Sequence, residues 1–184
     1  MHWNLPALAG LDREAEFAAA SFSQHTILAD RAATRSALLR ELPASGVFHF
    51  SGHAVVTAND AALVLAQDSQ GDRLLWASQI PKDTLRNVRF AMLAGCSTGR
   101  VGSESEDPAA TIARSFLQAG VPAVIAARWD VDSTASSVFV QGFYDALRKG
   151  AAPEEALALS ARQLRGSPAF SHPYYWAAFD MFRI

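Results

Sequence analysis

The sequence predicts an α/β fold in which a mostly parallel sheet is covered by helices on both faces. Segments with helical periodicity alternate with short apolar segments along the chain. The three clearest strand candidates, 46–50, 88–95 and 121–129, are mostly apolar and do not alternate cleanly, which is typical of strands buried on both faces. Because the chain has 184 residues and is 50% hydrophobic, one domain over 1–184 with a sizeable core is expected.

The first half of the chain is predicted to contain helices, short strands and one hairpin. Residues 11–22 carry apolar side chains at helical spacing, and Asp30 has the side chain of a helix N-cap. The stretch "DSQGD" has the glycine and aspartates that favour a hairpin turn. The predicted elements are helices at 11–22, 30–42 and 77–85, and strands at 25–29, 46–50, 61–67 and 73–76.

The second half is predicted to alternate strands with longer helices. Asp107 and Pro108 are typical of a helix start, and Gly120 is typical of a helix end. Lys149 and Gly150 end another helix in the same way. The predicted elements are strands at 88–95, 121–129 and 174–182, the last of them at a sheet edge, and helices at 108–119, 133–149 and 153–164.

Composition and spacing exclude several classes of function. The net charge is −2 with no cluster of Lys and Arg, so no nucleic-acid surface is indicated, and no apolar stretch is long enough to cross a membrane. The chain has one cysteine and no signal-peptide pattern, from which a cytoplasmic protein is expected. No ligand spacing for a metal and no phosphate-binding loop occurs, so no metal and no cofactor is predicted.

Chemically capable side chains follow the three clear strands. His53 comes just after the strand at 46–50, Cys96 after the strand at 88–95, and Asp130 and Asp132 after the third. Sites in open parallel sheets form at the carboxyl ends of the strands, and neighbouring strands lie about 4.8 Å apart. If these strands are neighbours, the sequence predicts a histidine, a cysteine and two carboxylates along one rim.

A thiol beside an imidazole is a nucleophile with its general base, so Cys96 and His53 are candidates for these roles. Backbone N–H groups around Gly52, Ala54 and Gly95 could form an oxyanion hole. Each side chain also has a structural interpretation, because a lone cysteine or histidine is often simply packed in the core. His49, inside its strand, is expected to be such a packed or hydrogen-bonded core residue.

The stretch "GCSTG" also fits the G-x-S-x-G pattern of serine hydrolases. Ser97 would then be the nucleophile, with Asp130 or Asp132 and His172 as its partners. A nucleophile elbow passes from a strand directly into a helix, whereas here the polar stretch "STGRVGSESEDP" follows. The context therefore disagrees with the pattern, and a serine hydrolase using Ser97 remains only an alternative.

Five stretches of the chain resemble, in order, the motifs of the CHAT family. They are "VFHFSGHA", "AMLAGCSTG", "FLQAGVPAVIAARWDVD", "FYDAL" and "HPYYWAAFDMF". These are caspase-like cysteine peptidases related to separase, and the resemblance covers nearly the whole chain. It implies a caspase-like three-layer sandwich and cleavage of peptide bonds by a dyad of His53 and Cys96. It also implies that Asp130 and Asp132 bind an Arg or Lys side chain before the scissile bond. The structural alternative is that these aspartates cap the helix that follows.

Two positions depart from the family pattern. Ala54 stands where the family usually has glycine, and its Cβ would narrow the approach of substrate. Arg128 stands where leucine is frequent, and it could block the pocket or pair with Asp130 or Glu106. The departures leave a second interpretation, a weak or inactive caspase-like module that binds a protein partner. The expected partners are a peptide or protein substrate and a regulatory domain or chain.

Overall fold

The computed structural model describes residues 11–94, 108–129 and 132–183. The strands are β1 (Val47–Ser51), β2 (Ala54–Val56), β3 (Ala61–Val64), β4 (Leu74–Trp76), β5 (Phe90–Ala94), β6 (Ala123–Ala127) and β7 (Phe179–Arg183). The helices are α1 (Leu11–Ala19), α2 (Arg35–Glu41), α3 (Pro108–Gln118), α4 (Ser133–Arg148), α5 (Pro153–Gly166) and α6 (Pro173–Trp176).

The central sheet has the strand order β1-β5-β6-β7. Its first three strands are parallel. β7 lies at one edge, as predicted for the last strand, and it pairs antiparallel with β6. In the register, Ser51 is opposite Ala94 and Leu93 is opposite Ala126. The three parallel strands therefore end level with one another, and we call this border of the sheet, marked by Ser51, Ala94 and Ala127, the carboxyl edge.

The two faces of the sheet belong to two separate hydrophobic clusters. On one face, Phe48 stacks on Phe116 of α3 with 6.2 Å between ring centroids, and β2, β3 and β4 complete this layer. On the other face, Phe90 meets Phe143 of α4 at 5.8 Å, and α1 and α5 join the same cluster. Successive residues of β5 and β6 alternate between the clusters, so both faces of these strands are apolar, as the continuous apolar runs predicted. The architecture is the predicted caspase-like three-layer α/β sandwich.

A second, smaller sheet has the order β2-β3-β4 and is antiparallel throughout. It contains the predicted hairpin, with the turn in "DSQGD". The Asp68 carboxylate accepts from the N–H groups of Gln70 and Asp72, both at 2.9 Å, and Gly71 has φ +86°. A glycine is needed there because side chains make positive φ costly.

Two predictions for residues 25–42 were wrong. No strand forms at 25–29, where most side chains are exposed and Ile27 is 43% exposed. Pairing of this segment with a sheet would therefore bury little apolar area. The helix predicted to begin at Asp30 begins instead at Arg35, where the Thr34 hydroxyl accepts from the N–H of Ala37 at 3.3 Å. Asp30 has φ +47°, which is incompatible with the extended backbone of an N-cap.

Two further predictions needed correction, and one strand was missed. The predicted strand at 174–182 divides into α6 and β7, because Pro173 begins a helical turn that His172 caps. The predicted helix at 77–85 forms two short 3₁₀ turns on either side of Pro81. The three-residue strand β2 was not predicted. The helices predicted at 11–22, 133–149 and 153–164 form with boundaries shifted by at most three residues, and α3 ends before Gly120, whose φ is +107°.

Candidate active site

His53 lies at the carboxyl edge, two residues beyond the end of β1 and directly before β2. Its carbonyl oxygen accepts from the N–H of Val64 at 2.9 Å, and the next residue, Ala54, is paired with Leu63. The Nδ1 atom of the imidazole is buried from solvent. The second sheet thus fixes the backbone that carries this histidine, one of the two predicted catalytic residues.

Gly52 joins β1 to His53, and its backbone lies very close to the ring of Phe50. A Cβ at this position would lie 2.7 Å from Cζ of Phe50, a distance that real Cβ atoms do not adopt. Because Phe50 is anchored in the core on the α3 face, the ring cannot move aside cheaply. The glycine therefore lets the chain turn over the aromatic ring and reach His53.

Ala54 is 2% exposed and belongs to the core cluster that includes Val56 and Leu63. The Cβ that distinguishes this residue from the usual glycine is therefore accommodated by the core. The role predicted for the N–H groups near Gly52 and Ala54, as oxyanion donors, stays a prediction.

β5 leads toward Cys96, and Ala94 is its last residue. Gly95, Cys96 and Ser97 lie outside the described residues, as does Asp130. In chain order, Cys96 stands two residues beyond Ala94, as His53 stands two residues beyond Ser51. The strands that precede the two predicted catalytic residues are thus neighbours, parallel and in matching register.

Asp132 caps the N-terminus of α4. Its Oδ1 accepts from the N–H groups of Thr134 and Ala135, both at 3.0 Å. The structural alternative given for this aspartate is therefore realised, and the carboxylate stands at the positive end of a sixteen-residue helix. A role in binding a basic substrate side chain stays a prediction.

The segment after β6 is attached to α6 and β7. The indole Nε1 of Trp129 donates to the carbonyl of Tyr174 at 2.9 Å, and the N–H of Arg128 donates to Ala178 at 2.8 Å. Nη1 of Arg128 lies 3.9 Å from Oδ2 of Asp180, and both side chains are about half exposed. The pairings expected with Asp130 and Glu106 fall outside the described residues.

A buried polar cluster lies next to the end of β1. His49 is a hydrogen-bonded core residue, as predicted: its Nδ1 lies 2.9 Å from the Tyr144 hydroxyl and its Nε2 lies 2.8 Å from Ser51 Oγ. Ser51 Oγ also donates to Oε1 of Glu14, a carboxylate that is only 4% exposed. Glu14 was not predicted as part of this cluster, although it falls on the apolar stripe of its helix between Leu11 and Ala18.

The other two histidines among the described residues, His25 and His172, make local contacts. Nδ1 of His172 accepts from the N–H of Tyr174 at 3.2 Å at the start of α6, and Nδ1 of His25 lies 3.1 Å from the carbonyl of Phe22. Within residues 11–94, 108–129 and 132–183, no group of three or more His, Cys, Asp or Glu side chains is placed to hold a metal ion. No helix in this part of the chain is long and apolar enough to span a bilayer.

A three-layer sandwich in which a histidine follows β1, next to the strand that leads toward Cys96, defines a caspase-like α/β module. The chain belongs to the CHAT family, because the family model for the CHAT domain matches residues 1–183. It is also similar to tetratricopeptide repeat protein 28 of Mus musculus, with 36% identity over 99 residues, which is 54% of this chain. The Homo sapiens protein of the same name is 34% identical over 92 residues, 50% of this chain. The aligned regions make up about 4% of the length of either relative.

Proposed function

We propose that this chain is a cysteine endopeptidase in which Cys96 is the nucleophile and His53 the general base. Membership in the caspase-like CHAT family supports the reaction class. The observation that carries the assignment of residues is the register of the central sheet, in which Ser51 and Ala94 are direct partners on parallel strands.

The register limits how far apart the two residues can be. Paired strands are about 4.8 Å apart, and two further residues of chain span at most about 7 Å. His53 and Cys96 each follow a paired strand end by two residues, so both start from adjacent points on the carboxyl edge. An imidazole and a thiol that start so close can come within hydrogen-bonding reach.

The reaction needs few groups. The Cys96 sulfur attacks the peptide carbonyl carbon while His53 takes the thiol proton, and the same imidazole then returns that proton to the departing amine. Water hydrolyses the resulting thioester with His53 again acting as base, which regenerates the thiol. Backbone N–H groups near Gly52, Ala54 and Gly95 would stabilise the oxyanion that forms in both steps.

The proposed specificity is for a basic residue before the scissile bond. Asp130 and Asp132 follow β6 in the chain, and β6 is the neighbour of β5, the strand that leads toward Cys96. A carboxylate there would pair with an arginine or lysine of the substrate. Asp132 Oδ1 already accepts two backbone N–H groups, which holds the carboxylate in one orientation.

The proposal is tested with a library of fluorogenic peptides that vary the residue before the scissile bond. Cleavage is expected after Arg or Lys, and Cys96→Ala and His53→Ala should each lower kcat/KM by about 10³-fold or more. His25→Ala is the matched control, because His25 is exposed and bonds only locally among the described residues. Full cleavage by Cys96→Ala with loss in Ser97→Ala would favour the serine hydrolase instead.

The second candidate is a non-catalytic module that binds a protein partner. It is favoured by the relatives named as tetratricopeptide repeat proteins, of which a region like this chain is a small part. In that case wild type cleaves no peptide, and Cys96 labels no faster than an ordinary thiol with a thiolate-reactive probe. Rapid labelling that depends on His53 would exclude this candidate.

A further inference from the structure

The Glu14 carboxylate is an unusual group to find in the seam between α1 and the central sheet. It is 4% exposed, and Glu14 and Ala18 are the buried residues among the described side chains of α1. A buried carboxylate is costly unless hydrogen bonds satisfy it, so its partners hold it in a defined place. Those partners, His49 and Ser51, both belong to β1.

Hydrogen bonds connect the side chains of this cluster. Burial and the charge of Glu14 raise the pKa of the Tyr144 hydroxyl far above its ordinary range, so Tyr144 keeps its proton, and its hydroxyl lies 2.9 Å from Nδ1 of His49. The other ring nitrogen of His49, Nε2, lies 2.8 Å from Ser51 Oγ and 3.3 Å from Oε1 of Glu14. Ser51 donates to Glu14, so the chain of hydrogen bonds runs from α4 through β1 to the carboxylate on α1.

Ser51 is the point at which this chain meets the candidate active site. It is the last residue of β1, it pairs with Ala94 of β5, and only Gly52 separates it from His53. Its backbone is held by the sheet on one side, and its hydroxyl is held by Glu14 on the other. Residues 52 and 53 follow a strand end whose position is fixed from two directions.

We propose that Glu14 is a positioning residue, which acts through the Ser51 hydroxyl to hold His53 in place beside the end of β5, the strand that leads toward Cys96. The inference rests on the proposed function for its catalytic consequence, but the placement of His53 can be measured without catalysis. The N–H of Val64 donates to the His53 carbonyl at 2.9 Å, so exchange of the Val64 amide reports whether that backbone stays in place.

The experiment compares four variants of the full chain. Glu14→Gln and Ser51→Ala remove the carboxylate or the hydroxyl, and Ser51→Thr keeps the hydroxyl in a residue that suits a strand. Glu16→Gln is the matched control, because Glu16 lies on the same helix but is exposed. Amide exchange at Val64 is measured against the Arg89 amide, which donates to Gly46 at 2.9 Å just before β1 begins.

Glu14→Gln and Ser51→Ala are expected to speed exchange at Val64 about tenfold relative to Arg89, whereas Ser51→Thr and Glu16→Gln leave the ratio unchanged. In cleavage assays the first two variants should lower kcat about tenfold at unchanged KM, and Ser51→Thr should restore it. An unchanged exchange ratio in Glu14→Gln and Ser51→Ala overturns the inference whatever the activity. A changed ratio in a protein whose wild type cleaves nothing supports the positioning role and overturns the proposed function.

Discussion

The ring of Phe50 lies so close to the backbone of Gly52 that no side chain fits between them. The constraint comes from the core, since Phe50 is buried on the α3 face of the sheet. A single residue at the strand end therefore connects packing of the core with placement of His53.

Gly52→Ala is expected to lower the free energy of unfolding by about 1–3 kcal/mol and to reduce peptide cleavage, because the new methyl group must displace either the ring or the backbone before His53. Urea denaturation and kcat/KM measure the two effects. Gly166→Ala, at the end of α5 with open space around the new Cβ, is the control and should be neutral or slightly stabilising. Normal stability and cleavage in Gly52→Ala would contradict the geometry.

At the scale of single residues, the sequence predicted the position of polar side chains that come directly after a strand. The placement of His53 after β1 and of Asp132 after β6 was predicted because polar side chains directly after apolar runs are conspicuous, and their roles in a site stay predictions. Glu14 was missed, since a glutamate in the first turn of a helix is ordinary and its burial depends on α4 and β1, which lie far away in the chain. Position along an apolar stripe is the signal that could have identified it.

At the scale of elements, the start of α4 carries an aspartate, Asp132, with two roles to separate: the observed helix cap and the predicted binding of a basic substrate side chain. The N-terminus of α4 follows β6 at the carboxyl edge, and Asp132 caps it there. The cap uses only Oδ1 of the carboxylate as a hydrogen-bond acceptor. The negative charge of the group would also attract a basic side chain that came close to it. The two roles can be separated by substitution.

Asp132→Ser keeps a good cap but removes the charge, whereas Asp132→Ala removes both. We expect Asp132→Ala to cost about 1 kcal/mol in the free energy of unfolding and Asp132→Ser to cost little. If Asp132 also binds the basic substrate side chain, both variants should lose selectivity for Arg or Lys over neutral residues. Unchanged selectivity in Asp132→Ser would show that Asp132 caps α4 and does not bind the substrate side chain.

Helices and strands were predictable where the local sequence pattern matches the burial of the side chains in the fold. The central strands and the long helices have continuous apolar runs or strong periodicity, and they form close to the predicted bounds. The failures have two origins. β2 is three residues long and exists through pairing with β3, which leaves no signal in the local sequence. α2 begins at Arg35, because the backbone of Asp30 is left-handed and Thr34, itself a typical N-cap residue, caps the helix instead.

At the scale of the whole molecule, the sheet separates two hydrophobic clusters that must form together. Phe116 of α3 anchors one and Phe139 of α4 anchors the other, and both side chains are fully buried. The strands between them contribute alternate residues to each cluster. Loss of packing on one face should therefore weaken the other.

Phe116→Ala and Phe139→Ala are each expected to lower the free energy of unfolding by about 3–5 kcal/mol, because each leaves a large cavity in a closed core. Both should shift one cooperative transition, as expected for a single domain. Circular dichroism and tryptophan fluorescence in urea should report the same midpoint. Two separate transitions in either variant would contradict one cooperative unit.

The most direct test of the account is the reactivity of Cys96, the single cysteine of the chain, toward iodoacetamide at pH 7. If the register of β1 and β5 brings His53 to the sulfur, His53→Ala should slow alkylation at least about tenfold, whereas His25→Ala leaves it unchanged. Equal alkylation rates in wild type and His53→Ala would show that the histidine does not activate the thiol, and the proposed dyad would be wrong.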